Sequence, residues 1–290
     1  MSRPLTLLVN PAASGGRALQ VVPEVLEELG RLGAEPRVVQ TVSLEHSLEE
    51  AHRASSEAGV VIAVSGDGLV GRLAGALMDT DAALAMIPAG RGNDFARVLG
   101  VPKSPREAAR VALEGTERMV DVGQAGGVSF LGIASVGFDS DVQDIANAAR
   151  LVRGNLVYLY ATLRGMAAWR HATFTVDLDG EEHSVHGFSV AVANSGMFGG
   201  GMHLVPGAAL DDGRLDIVLT AKEGKLRSLR NLPKLFKGTH VDLPWLTFLA
   251  GERVEVGADR PFTVYADGDP IGDLPMSFGV RRQALRVMVP

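Results

Sequence analysis

One stretch constrains this chain more than any other. Val60-Val61-Ile62-Ala63-Val64 is apolar throughout and runs without a break into Ser65-Gly66-Asp67-Gly68. A strand with no polar alternation has both faces covered, which is the situation of a parallel strand under helices. A glycine turn at the carboxyl end of such a strand, with a helix following over Leu69–Met78, lies where open α/β sheets bind ligands. The neighbouring segments repeat the plan. Leu5–Val9, Pro36–Gln40 and Ala83–Ile87 read as strands, and Ala18–Leu32 and Leu44–Ala58 as amphipathic helices. Ser104 and Pro105 form an N-cap and first-turn pair for a helix through Leu113. Strand–helix alternation of this kind predicts a parallel sheet flanked by helices.

The period changes after about Arg118. Val120–Val122, Val128–Ala134, Phe174–Leu178, Val185–Ala193, Leu215–Leu219, Val254–Val256, Phe262–Tyr265 and Leu285–Val289 read as strands, with Asp179-Gly180 as a hairpin turn. Two helical stretches interrupt them, Val142–Trp169 and Lys225–Phe236. The expected organisation is an α/β nucleotide domain over residues 1–122 and a β-rich, mainly antiparallel domain over residues 123–290. The extreme C-terminus of the second is free to pack back on the first.

The chain has no cysteine, which excludes disulfides, thiolate zinc sites and cysteine nucleophiles. A net charge of -6 argues against general nucleic-acid binding. The opening MSRPLTLLVNP, interrupted by Asn10-Pro11, does not read as a signal peptide. No window reaches the ~18–20 apolar residues of a spanning helix. A cytoplasmic protein is therefore expected.

Glycines let a backbone approach phosphate oxygens, and the helix that follows offers unpaired N–H groups. Asp67 is awkward beside phosphate unless it holds the turn, contacts ribose or works through a cation. A second loop, Pro88-Ala89-Gly90-Arg91-Gly92-Asn93-Asp94, follows the Ala83–Ile87 strand and belongs at the same sheet edge. Arg91 can pair with phosphate. Asn93 can contact phosphate or nucleotide, and Asp94 can cap a helix or orient an arginine. A third loop, Asn10-Pro11-Ala12-Ala13-Ser14-Gly15-Gly16-Arg17, follows the first strand. Each loop alone reads equally as a structural turn or a helix cap; together on neighbouring strand ends they predict one phosphate pocket. None has Walker spacing or the dinucleotide glycine pattern.

These residues, in this order, resemble the three nucleotide loops of the diacylglycerol kinase catalytic family, to which soluble bacterial lipid kinases and sphingosine kinases belong. The resemblance continues through Gly199-Gly200-Gly201-Met202, Pro206, Asp211-Asp212-Gly213-Arg214-Leu215-Asp216 and Asp267-Gly268-Asp269, and so spans essentially the whole chain. It implies a nucleotide domain followed by a β-rich sandwich, with the active site in the cleft between them. It implies ATP as phosphoryl donor, with Asn10, Ser14, Gly15, Thr41, Ser65, Gly66, Asp67, Gly68, Gly90, Arg91, Asn93 and Asp94 around the nucleotide. Asp269 would take the proton from a lipid hydroxyl, with Asp267 beside it in a magnesium and water network. Asp212, with the carbonyls of Ala209 and Arg214, would hold Mg2+. The chain departs from the family's usual residues where Leu69 replaces a threonine, Arg72 an acid, Arg91 a threonine and Asp269 a glutamate.

The segment Lys222–Lys237 interleaves cations with Leu226, Leu229, Leu232, Leu235 and Phe236. It reads either as a packed helix with a solvated basic face or as a helix that rests on an anionic bilayer. The histidines give no metal pattern; His183 and His186 point to opposite faces of one strand. The expected partners are a lipid substrate, an anionic membrane touched peripherally, and a second copy in a homodimer. Two other functions compete: an NAD kinase-like enzyme, which shares the Gly-Asp-Gly turn, and a nucleotide- or lipid-binding regulator that has lost catalysis.

Overall fold

The computed structural model describes residues 3–11, 15–149 and 156–290. Strands β1 (Leu5–Val9), β2 (Arg37–Gln40), β3 (Val60–Ser65) and β4 (Ala83–Pro88) alternate with helices α1 (Arg17–Arg31), α2 (Leu44–Ser56), α3 (Asp67–Leu77), α4 (Asp94–Val98) and α5 (Pro105–Glu114). The strands pair in parallel in the order β2-β1-β3-β4. Every residue of β3 and β4 is buried, as a strand covered on both faces requires. The Ser104 hydroxyl accepts from the Glu107 amide and so caps α5.

The rest of the chain comprises β5 (Thr116–Ala125), β6 (Val128–Phe130), β7 (Ile133–Gly137), α6 (Phe138–Ala148), α7 (Leu156–Ala168), β8 (Ala172–Leu178) and β9 (Glu181–Ala193). A two-stranded hairpin, β10 (Met197–Phe198) with β11 (Met202–His203), comes next. It is followed by β12 (Leu215–Ala221), α8 (Lys225–Lys237), β13 (Leu246–Gly251), β14 (Arg253–Ala258), β15 (Thr263–Ala266), β16 (Asp269–Asp273) and β17 (Met276–Val289). Pairing here is antiparallel, in the order β16-β15-β7-β9-β8-β14-β17, with β12 and β13 branching from β9. One hydrophobic core lies around Leu7, Ile62, Leu73, Leu84 and Phe95, and another around Phe130, Phe174, Val190, Ile217 and Val254.

β17 joins the two halves. Its first residues pair with β14, while Arg286 and Val287 lie parallel to Ala83 and Leu84 of β4. β5 runs antiparallel along most of β17 and continues through residues 118–125 as one strand, with a single register shift opposite Asp121, between Arg281 and Leu285.

Three sequence expectations change. The single strand over Val128–Ala134 is two, because the Leu131 and Gly132 amides turn away to a carboxylate. The helix over Val142–Trp169 is α6 and α7; α6 begins four residues earlier, and residues 150–155 lie outside the described residues. Strands β13 and β16 appear where none is expected, β16 because Pro270 masks an edge strand.

Candidate active site

The β3 and β4 loops touch through glycine. A Cβ added to Gly90 would lie 2.4 Å from the Gly66 Cα, and one on Gly66 would lie 2.9 Å from the Gly90 Cα. Asn93 holds the second loop. It takes a positive φ of 54°, its Oδ1 accepts from the Gly90 amide at 2.7 Å, and its Nδ2 donates to the Gly90 carbonyl at 3.0 Å. Asp67 caps a helix other than its own, accepting from the Phe95 amide of α4 at 3.1 Å. That bond resolves the awkward carboxylate: Asp67 Oδ1 ties the first loop to the second, and its other oxygen points toward Gly92.

Asp94 binds Arg97 at 3.1 Å and accepts from the Gly200 amide at 2.8 Å. Gly199, Gly200 and Gly201 all have positive φ, a turn closed to residues with a Cβ at ordinary strain. The glycine loop therefore docks on the loop that follows β4. Burial pushes the Asp94 carboxyl up, partly offset by the Gly200 amide.

Asp267 and Gly268 form the two-residue turn between β15 and β16, both with positive φ, as the Asp-Gly hairpin preference anticipates. The turn places Asp269 at the start of β16, directly over α3. A Cβ on Gly68 would meet the Asp269 carboxylate at 2.4 Å. Burial raises the Asp269 carboxyl and the nearby Arg72 charge opposes the rise. Arg72, a departure from the family's usual acid, thus lies near the carboxylate that the resemblance expects to take the proton.

Asp267, expected beside Asp269, lines the same cavity and is held by the backbone. Its carboxylate is enclosed between Gly71 and Gly132 and accepts from the Leu131 and Gly132 amides at 2.9 and 2.8 Å. It is a positioning residue that fixes the turn carrying Asp269. Burial, with Asp67 and Asp269 adding like charge, pushes it up to about 7. A carboxyl raised in the folded state contributes stability that is full below about pH 4, the unfolded value, and is lost as pH rises through about 7. Denaturant midpoints of the parent should fall over that window, and the slope should flatten in Asp267→Ala. That variant should also lose about 1–3 kcal/mol for each buried amide left without a partner. Unchanged midpoints at both pH 5 and pH 8 would contradict the assignment.

Two cavities meet at these loops. The larger, about 660 Å³, runs from Asp67, Asp267 and Asp269 into a wall of Phe138, Met166 and Phe188. Trp169 stacks on Phe188 behind it, at 6.2 Å between ring centres. A polar strip of Ser135, Asp139, Gln143 and Ser189 interrupts the wall. Burial pushes Asp139 up to about 6 despite its hydrogen bond to Ser189. The smaller cavity, about 230 Å³, is a cationic groove of Arg17, Arg91, Arg97 and Lys103 beside Gly90 and Asn93. Arg91 lines both.

The structure thus gathers Asp67, Gly68, Gly90, Arg91, Asn93, Asp94, Asp267 and Asp269 around one cleft. Ser65 and Gly66 supply the strand end beneath it; the Ser65 carbonyl accepts from Ala89. The Thr41 hydroxyl is spent on the Val9 carbonyl, 3.2 Å away. Asn10, Gly15 and Thr41 line neither cavity, and Ser14 lies outside the described residues. Asp212, Ala209 and Arg214 also lie apart from both cavities, on a turn held by Asp121, which accepts from the Gly213 and Gln283 amides. Among the described residues no three His, Asp or Glu side chains converge as a metal cluster. Sequence reasoning singled out neither Lys103 nor Asp139. Lys103 follows a proline in an unpatterned loop, and Asp139 opens a helix whose apolar face reads as core.

Glycine loops at a parallel sheet edge thus face a cavity with an apolar wall, an arrangement of the two-domain kinase class. Residues 4–125 match the diacylglycerol kinase catalytic domain, and residues 132–289 match the YegS C-terminal NAD kinase beta sandwich-like domain. The chain belongs to the diacylglycerol kinase family and is a lipid kinase. It is 34% identical to a diacylglycerol kinase of Mycobacterium tuberculosis, over 99% of this chain and 95% of that one. It is 26% identical to a diacylglycerol kinase of Bacillus subtilis, over 98% and 95%. A diacylglycerol kinase crystal structure from Bacillus anthracis superposes with a TM-score of 0.77, at 21% identity, over 99% and 97% of the two chains.

Proposed function

We propose that this lipid kinase transfers the γ-phosphate of ATP, with Mg2+, to the free hydroxyl of a diacylglycerol, giving phosphatidic acid. One observation carries the reading: the Asp269 carboxylate stands on the lip shared by the glycine loops and the large apolar cavity. Acyl chains would occupy the Phe138, Met166 and Phe188 wall, leaving the hydroxyl at Asp269. The cationic groove of Arg17, Arg91, Arg97 and Lys103 suits the triphosphate, and Arg91 reaches the boundary where phosphate crosses to lipid.

Asp269 takes the hydroxyl proton as the lipid oxygen bonds to the γ-phosphorus. The bond from that phosphorus to the bridging oxygen breaks, and its electron pair leaves with ADP. The rest of the catalysis is positioning, which the Asp267 and Asp94 clamps supply.

The Asp212 turn fits a hard cation. Asp212 Oδ1 accepts from the Arg214 amide at 3.0 Å, leaving its second oxygen, and the Ala209 and Arg214 carbonyls are oxygen donors of the kind magnesium takes. Burial, followed by the Asp212 charge, raises the nearby Asp216 carboxyl, a repulsion that a cation relieves. Bound magnesium would neutralise charge, on this turn and on the phosphates of ATP.

The NAD kinase-like reading fits less well, because the phosphate loops open onto aromatic and aliphatic walls rather than a second polar groove. A panel of diacylglycerol, monoacylglycerol, a long-chain amino alcohol and NAD, each with MgATP, tests the choice. Diacylglycerol is expected to be phosphorylated fastest, and chelation of Mg2+ to abolish turnover. Phosphorylation of NAD alone would overturn the reading.

A further inference from the structure

α8 is a thirteen-residue helix with no buried residue, which is unusual for a helix seated over a cavity. Its inner face lines the large cavity chiefly through the apolar Leu229, Leu232, Leu235 and Phe236, with Ser228 and Asn231 among them. Its outer face combines cations with apolar side chains: Leu226 is 82% exposed and Phe236, at the cavity mouth, 51%. The helix contains no acidic residue, in a chain of net charge -6.

The cations of this segment divide into two groups. Lys225 donates to the Ala167 carbonyl at 3.2 Å, which fixes α8 against the end of α7. Arg227 pairs with Glu223 at 3.0 Å and lies over the Trp245 ring at 5.0 Å. These two hold the helix in place. Arg230, Lys234 and Lys237 form no ion pair among the described residues, and they project from the same surface as Leu226. α7 carries two exposed apolar side chains of its own, Leu163, 50% exposed, and Tyr160, 37% exposed. Thr162 and Met166 of α7 line the same cavity that α8 covers. Both helices that line the cavity thus carry exposed apolar side chains, and α8 adds cations with no ion pair among the described residues.

We propose that α8 lies on an anionic bilayer, with Arg230, Lys234 and Lys237 on the phospholipid headgroups and Leu226 and Phe236 in the acyl boundary, so that lipid enters the cavity beneath it without crossing water. The proposal rests on the acyl-chain reading of that cavity. Both faces of the helix follow from it: one meets lipid in the bilayer and the other meets lipid in the site. An interfacial helix of this kind binds by buried apolar area together with attraction to anionic lipid. Among the described residues no helix is long and apolar enough to cross a membrane, so attachment by α8 is peripheral.

Flotation of the full chain with vesicles tests this, comparing phosphatidylcholine with and without phosphatidylglycerol. The parent is expected to float with the anionic vesicles, to detach at high salt, and to ignore the neutral ones. Arg230→Gln, Lys234→Gln and Lys237→Gln combined should lower partitioning about 100-fold, from the additive attraction of three cations. Leu226→Glu should weaken binding independently. Both variants should keep the parent's melting temperature and its turnover of a dispersed short-chain diacylglycerol, while turnover of bilayer substrate falls. Equal binding of parent and triple variant, or equal binding to both vesicle types, would overturn the proposal. Concentration-dependent self-association that the triple variant loses, without vesicle binding, would instead assign the face to a second copy. If the parent phosphorylates no lipid but still binds vesicles by charge, the functional reading fails and the docking proposal stands.

Discussion

Gly90→Ala is expected to weaken ATP binding by roughly 100-fold or more while leaving the fold intact. The added methyl would fall 2.4 Å from the Gly66 Cα and 2.8 Å from the Asn93 Oδ1. The first of these is backbone and has no rotamer through which to yield. Gly90 is not among the positive-φ residues, so alanine meets no conformational penalty there and the effect isolates the steric one. To accept the methyl, the loops must part. That strains the paired bonds between Asn93 and Gly90 and the Ala89 amide's bond to the Ser65 carbonyl. A shift of about 1 Å in a preorganised site commonly costs about two orders of magnitude. Calorimetric titration with ATP, beside circular dichroism of the variant, reads both quantities. Unchanged affinity would remove the two loops from the nucleotide site.

Asp269→Asn is expected to lower phosphoryl transfer by roughly 10²- to 10⁴-fold, the usual contribution of a positioned general base. The substitution is nearly isosteric, so the amide still fits above Gly68 and the Asp267-Gly268 turn is untouched. The variant loses the acceptor for the hydroxyl proton and keeps the cationic groove. ATP affinity should therefore hold while kcat falls. Arg72 sharpens the expectation, since its charge opposes the rise that burial imposes on Asp269 and keeps the carboxylate ionised to lower pH. Replacing Arg72 with a neutral residue should accordingly move the acidic limb of the pH–rate profile upward.

Much of the fold was legible because particular residues leave the backbone little choice. β3 and β4 are apolar at nearly every position and can only be strands covered on both faces. Asp267-Gly268 and Asp179-Gly180 sit between strands and adopt the paired positive φ that Asp-Gly favours. The loops around Gly66 and Gly90 announced a phosphate pocket through glycine spacing, but not that the two glycines touch. Asn93 and Asp67 carry groups able to contact a nucleotide, and sequence alone leaves open whether they do. In the folded chain Asn93 supports its own loop and Asp67 caps α4, bonds between residues 3 and 28 positions apart.

What stayed hidden depends on long-range pairing. Asp267 meets Leu131 and Gly132 across 136 and 135 residues, and no local pattern marks that bond. The cavity wall is equally silent: Phe138, Met166 and Phe188 have the composition of a core and differ from one only in facing an empty space. Among the cations of the Lys222–Lys237 segment, only the fold separates Lys225 and Arg227, which are engaged, from Arg230, Lys234 and Lys237.

On the proposed reading, ATP and a lipid hydroxyl react across the lip that Asp269 occupies. The most direct measurement is transfer of label from γ-³²P-ATP to diacylglycerol in mixed micelles, with the products resolved, for the parent and Asp269→Asn side by side. The expected result is labelled phosphatidic acid from the parent and almost none from the variant, at matched ATP occupancy. Label confined to inorganic phosphate, or equal lipid labelling by both proteins, would contradict it.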